Sequence, residues 1–194
     1  MLGFILSKLN LLILVVAMFA IIAYFTFSLA DVVEIQESQR LLDRLSRTSS
    51  SMVNSPSYCD SLTFNFNESL KIMGKPLFYS IRVGYQDVPQ EGGEDVTFII
   101  FSFYPTRSDR AIAAESFKTN AKVFFYSFET GSTVQVNDET DPSGWIEVEP
   151  SSVPPTNAIV VIKQVVNGEQ ELHFIPCLSG QTCESARSDV RFRC

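Results

Sequence analysis

Ser51 is the first residue that could do covalent chemistry, in a Ser51-Met52 pair downstream of a long apolar run. A serine hydroxyl becomes a nucleophile only beside a base, here a neutralised lysine. The lysines beyond the run (Lys71, Lys75, Lys118, Lys122 and Lys163) share no motif with it. The only histidine, His173, sits between Leu172 and Phe174. That setting predicts a sheet-surface residue rather than a catalyst, and no second His or Asp at a defined spacing completes a triad. No glycine-rich phosphate loop or metal-binding helix motif occurs, so no cofactor is expected. The four cysteines are Cys59, Cys177, Cys183 and Cys194, with no CxxC among them, which makes zinc a weak reading. An even number in an exported domain suggests two disulfides, with three connectivities open. The pairing expected is Cys59 with Cys177 and Cys183 with Cys194; free thiols would instead fit a cytoplasmic domain. Asn67-Glu68-Ser69 is a glycosylation sequon between a short strand and a turn.

Two different stretches of chain must position these residues. Residues 11–27 (LLILVVAMFAIIAYFTF) hold no charge and no strongly polar group. With their flanks they meet the roughly 20 apolar residues that a bilayer requires. A cleaved secretory signal has an apolar core of only about 7–15 residues and a small-residue cleavage site. SLADVV matches that site poorly, so residues 1–30 are expected to be an uncleaved anchor in the lipid bilayer. They contain one charge, Lys8; the other 164 residues carry 14 basic and 22 acidic side chains, a net of −8. Such a domain lacks the clustered Lys and Arg that bind nucleic acid, and anionic headgroups repel it. Arg40, Arg44 and Arg47 follow the span and, on the positive-inside count alone, favour the opposite orientation. The short N-terminal stub and the cysteines favour a cytoplasmic N-terminus and an extracytoplasmic C-terminal domain. The expected protein is single-pass.

Neither Pro nor Gly occurs between Phe4 and Val53. From Asp31 the apolar pattern becomes amphipathic, with Ile35, Leu42, Leu45, Ser49 and Met52 on one helical stripe. Glu37 with Arg40 and Asp43 with Arg47 sit at helix-neighbour spacing. One helix of about fifty residues, on the order of 75 Å long, is predicted, ending at Asn54-Ser55-Pro56. Its second part, 31–56, packs on its own domain through Ile35, Leu42, Leu45 and Met52; a coiled coil is disfavoured by Ser38 and Ser49 at seam positions.

Residues 57–178 read as strands and 179–194 as a cysteine-containing tail. Residues 77–85 alternate apolar and polar. Residues 96–104 (VTFIIFSFY) are apolar on both faces, as in a strand covered on both sides. Residues 123–128 form another β-rich run. Asn167-Gly168 between residues 159–166 and 169–175 supplies the positive φ angles of a type I′ hairpin. The fold class expected is α+β, a long N-terminal helix packed on an antiparallel sheet.

Two families share parts of this layout. Ser51-Met52 after a span resembles the Ser-Met pair of membrane-anchored signal peptidases, but no lysine lies in that family's context, so an anchored Ser/Lys hydrolase ranks last and a non-enzymatic role is expected. The apolar helix continuing as an amphipathic half, the sheet domain, the cysteine-closed C-terminus and Gly3-Phe4 together resemble type IV pilins and pilin-like proteins, most nearly archaeal ones. That resemblance implies leader cleavage after Gly3, packing of apolar helices of like subunits into a filament core, and a C-terminal loop closed by cysteines such as Cys177 and Cys194. The sequence departs from the family at Met1-Leu2, where a basic residue precedes the glycine, and at Lys8, where bacterial members carry glutamate. The leading expectation is a pilin-like structural or interaction protein displaying a β domain outside the cell. The alternative is a bitopic protein whose β domain binds a ligand or partner without forming a filament.

Overall fold

A helix without Gly or Pro has no internal reason to break, and α1 runs from Leu2 to Val53. The computed structural model describes residues 2–89, 96–106, 108–129, 132–135, 144–178 and Cys183. The chain divides into two units, Met1–Glu37 and Ser38–Cys194. Among the described residues the first unit is helix alone. The second holds the end of α1 and eleven strands: β1 (Cys59–Asn65), β2 (Leu70–Ile72), β3 (Lys75–Leu77), β4 (Tyr79–Val88), β5 (Val96–Pro105), β6 (Ala113–Thr119), β7 (Lys122–Glu129), β8 (Ser132–Gln135), β9 (Ile146–Val148), β10 (Thr156–Val166) and β11 (Glu169–Leu178).

The class is α+β as expected, but the strands form two facing sheets rather than one. One has the order β1-β10-β11-β7-β8, the other β6-β5-β4-β9, and β2-β3 is a separate ribbon. Inward side chains of both meet in one core; Phe101 of β5 lies 6.3 Å from Phe174 of β11, and Tyr85 of β4 lies 5.8 Å from Phe125 of β7, between ring centroids. Burial stabilises such a core by on the order of 2–3 kcal/mol per fully buried large side chain. Leu42, Leu45, Met52 and Val53 of α1 join the same cluster.

The Asn167-Gly168 hairpin is present, with φ of 54° and 88°, and fixes the β10–β11 register through Val166↔Glu169. All pairings are antiparallel except β11 with β7, which run parallel at Glu171↔Lys122 to Phe174↔Phe125. β6 ends at Thr119 on one sheet and β7 begins at Lys122 on the other. The chain crosses the sandwich there, so no hairpin dictates the direction in which β7 meets β11.

The expectation that residues 96–104 are covered on both faces is corrected. In β5, Ile99, Phe101 and Phe103 are buried, whereas Phe98, Ile100 and Tyr104 on the outer face are half-buried. The strands buried on both faces are β10, from Ala158 to Gln164, and β11, from Leu172 to Cys177. The outward Ala158, Val160 and Ile162 of β10 cluster with Tyr126, Ile175 and Cys177, against which Phe124 and Cys183 pack.

Candidate functional site

The first unit presents apolar side chains all round. Leu11 is 68% exposed, Phe19 68% and Tyr24 71%, and Leu12, Ile13, Leu14, Ile21 and Ile22 between them are exposed too. Consecutive positions on an α-helix point about 100° apart, so this exposure covers every face. Water would solvate such a surface at a cost of ~25 cal/mol per Å². Among the described residues this is the one helix long and apolar enough to cross a membrane. The aliphatic hydroxyl of Thr26 donates to Ile22 O at 2.8 Å, the internal satisfaction a lipid environment demands.

Within the second unit, α1 keeps the expected packing at Leu42 (fully buried), Leu45 and Met52. Ile35, expected in the same stripe, falls in the first unit and its side chain is 39% exposed. Ser38, Ser46 and Ser49 are buried instead, so the stripe alternates leucine with serine. Small side chains let the helix approach closely, and Ser46 Oγ donates to Ser116 O of β6 at 3.3 Å. The C-terminal carbonyls of α1 are met by the β10–β11 hairpin. Lys163 Nζ donates to Met52 O at 3.3 Å, to Ser55 O, and to Ser55 Oγ at 3.3 Å; Gln170 Nε2 donates to Val53 O at 2.7 Å. A cation at a helix C-terminus also favours the macrodipole. Lys163 is thus a helix cap, and its amine is spent on these oxygens, while Ser51 is exposed. Asp43 and Arg47 pair at 2.6 Å as their spacing predicts.

His173 is corrected from a sheet-surface residue to a buried one, 4% exposed. Gln164 Nε2 donates to Glu171 Oε2 at 2.8 Å and lies 2.9 Å from His173 Nε2, which is itself 3.3 Å from Glu171 Oε2. His173 Nδ1 and the Tyr126 hydroxyl share a hydrogen bond of 3.0 Å. Phe124 stacks on the imidazole at 4.8 Å. Burial lowers the His173 pKa, and Glu171 raises it by less. Burial first, then the Glu171 charge, push the Tyr126 hydroxyl up to about 12. Hydrogen bonds and stacking hold this cluster together around the Glu171 carboxylate.

Cys177 forms a disulfide with Cys183, replacing the expected Cys59–Cys177 and Cys183–Cys194 pairs. The strand register explains why. Cys59 lies opposite Gln164 and Cys177 opposite Ala158, six positions apart along β10. Six residues of strand span ~20 Å, beyond the ~7 Å between Cα atoms that a disulfide can bridge. Cys59 is also disulfide-bonded, and Cys194 lies outside the described residues. Gly3 and Phe4 fall within α1, with the Phe4 side chain outside the described set. Asn67 is exposed between β1 and β2, as the sequon reading expects, and its carbonyl accepts the Tyr79 hydroxyl at 2.9 Å. Among the described residues no group of three or more His, Cys, Asp or Glu is placed to hold a metal.

One constellation escaped sequence reasoning. On the outer face of the β6-β5-β4-β9 sheet, the Arg82 guanidinium lies 4.4 Å from the Tyr104 ring centroid and 4.6 Å from that of Trp145. Arg82 Nε pairs with Glu147 Oε1 at 3.2 Å, and Ser80 Oγ donates to the same oxygen at 2.7 Å. β4–β9 pairing sets Arg82 opposite Glu147, and β4–β5 pairing sets it opposite Ser102. Gly84 leaves the floor beside Trp145 bare, and the resulting groove measures about 340 Å³. The available signal was the polar phase of β4 and β5, where Arg82, Ser102 and Tyr104 alternate with buried residues. Comparison with known protein families, curated proteins and solved structures finds no match for the chain, so its reading rests on these residues.

Proposed function

We propose that this chain is a membrane-anchored, pilin-like structural or interaction protein that carries its β domain outside the membrane and does no catalysis. The observation that supports this reading is α1 itself. Its first part exposes apolar side chains on every face, and the same helix ends in a stripe of Leu42, Leu45 and Met52 buried in the β sandwich. Lipid satisfies the first part, and in a filament the apolar helices of like subunits would satisfy it equally. On this reading the N-terminus is cytoplasmic, and the cysteine bridges suit the oxidising side.

Mass spectrometry of the N-terminus of protein taken from cell membranes tests the pilin-like form. A mature chain beginning at Phe4, recovered in sheared filaments, is the expected result. A chain that retains Gly3 and is absent from any filament fraction would overturn that form. The solitary bitopic reading would then stand, and the exposed Arg82–Trp145 groove favours it as a binding module.

A further inference from the structure

The groove on the outer face of β4 and β5 is built from parts the core does not need. Trp145 is 49% exposed although it is large and apolar, and it is the chain's only tryptophan. Arg82 and Glu147 keep 40% and 32% of their side chains open to solvent while paired with each other. A guanidinium held between two rings and fixed by a carboxylate has a set orientation, so little ordering entropy is lost when a ligand docks. Because Glu147 already answers the Arg82 charge, an anionic ligand would have to displace or sit beside a carboxylate. The domain's net charge of −8 opposes it further. The groove therefore selects for a neutral ligand.

We propose that this groove binds a pyranose ring of a neutral glycan. A sugar ring presents an apolar C–H face and a rim of hydroxyls that both donate and accept. The Trp145 ring suits the first. The Arg82–Glu147 pair suits the second, since one hydroxyl of a vicinal diol donates to the carboxylate while its neighbour accepts from the guanidinium. Ser102 of β5 is paired directly opposite Arg82 of β4 and lines the same groove. Gly84 keeps the floor flat where the ring would lie. A volume of about 340 Å³ is at the small end of ligand sites, which fits one or two rings of a longer chain rather than a whole oligosaccharide. A proline-rich peptide would use the aromatic rims but has no use for a carboxylate–guanidinium pair. This inference rests on the domain being a binding module and holds whether or not the helices bundle.

Trp145 makes the test direct. The full chain, in a detergent without a sugar headgroup, is titrated with maltotriose, cellotriose and chitotriose, with sialyllactose and with a proline-rich decapeptide, while tryptophan emission is followed. The expected result is a saturable shift with at least one neutral trisaccharide, weakened about tenfold or more by Arg82→Met. Gly84→Ala gives a second variant, since its added Cβ would meet the Trp145 Cβ at an ordinary 3.6 Å; it should fold and weaken binding by raising the floor. Circular dichroism establishes which variants fold. No saturable change with any neutral trisaccharide overturns the proposal, as does saturation with sialyllactose or the peptide alone. Undiminished sugar binding in the folded variants overturns it equally. None of these outcomes touches the filament reading, which the N-terminal mass decides.

Discussion

Replacing Lys163 with methionine removes three hydrogen-bond donors and a charge from the end of α1 while keeping a chain of similar length. The loss is dominated by the bond to Ser55 O, because the contacts to Met52 O and Ser55 Oγ are long at 3.3 Å. A charge-assisted bond contributes ~1.5–3 kcal/mol, and the helix-terminus effect adds ~0.3–1 kcal/mol. Met52 O keeps the Ser55 N–H at 3.1 Å, so that carbonyl is not orphaned. Against this stands the relief of no longer burying a cation that is only 3% exposed. Apolar replacement of buried charges can be neutral or stabilising where every partner is also replaced. Here the carbonyls remain, so the losses win, and a net destabilisation of about 1–3 kcal/mol is expected. For a domain of this size that lowers Tm by about 3–10 °C. Urea unfolding followed by Trp145 emission should show a lower midpoint at unchanged slope, and the amides of Asn54 and Ser55 should exchange faster with deuterium. A midpoint that is unchanged or raised in Lys163→Met would refute the capping role.

Other perturbations read different parts of the sandwich. Ser49 Oγ is buried and has no hydrogen-bond partner among the described residues. Ser49→Ala removes that orphan and gains helix propensity, so it should raise stability by about 1–2 kcal/mol in thermal melts. Met73 holds φ at 49° in the β2–β3 turn, where a side chain with a Cβ is strained. Met73→Asn should stabilise by ~0.5–1 kcal/mol, and a drop in Tm would show that the exposed Met73 side chain matters more than its backbone. His173 titrates below its ordinary 6.5 in the folded chain because burial outweighs Glu171. The unfolded chain therefore takes up the extra proton as pH falls through about 6.5. Stability from this group is complete above that pH and declines between it and the lower folded pKa, by at most ~1.4 kcal/mol per pH unit. Urea midpoints at pH 7.5, 6.5 and 5.5 should fall in the wild type and flatten in His173→Gln; parallel slopes would exclude His173 as the source.

Much of this fold was legible because its signals are local. The uncharged run, the missing Gly and Pro before Val53, and Asn167-Gly168 each act within a few residues, and each produced the element expected. Partner choice is not local. The β-rich composition of residues 123–128 announces a strand but not that β7 lies parallel to β11, since direction was decided by a crossing between sheets. The disulfides failed for the same reason: distance along β10 separates Cys59 from Cys177, and sequence carries no register. His173 was misjudged because its strand, β11, is covered on both faces, so that the polar phase of the alternation is also buried. The Arg82 groove was hidden by dispersion, with its members drawn from β4, β5, β9 and the residue before β9.

Environment explains why the two parts of α1 are written so differently. From Leu9 to Ala30 the helix rises ~33 Å, close to the ~30 Å of hydrocarbon in a bilayer. Charge returns at Asp31, after which only one stripe stays apolar. A bilayer alone accounts for every exposed side chain in the first part, because lipid contacts all faces without preference. A filament asks for more. Subunits whose outer domains each carry a net −8 repel one another. Salt screens that repulsion only beyond ~8 Å, so domains in side-by-side contact would still feel it. On the proposed reading, helix packing must therefore outweigh domain repulsion for subunits to assemble, whereas insertion of a single chain in lipid meets no such opposition. Bilayer insertion is thus the lesser requirement of the two. Polymerisation would be sensitive to ionic strength, strengthening as salt shields the acidic domains, and anchoring of the single chain would not.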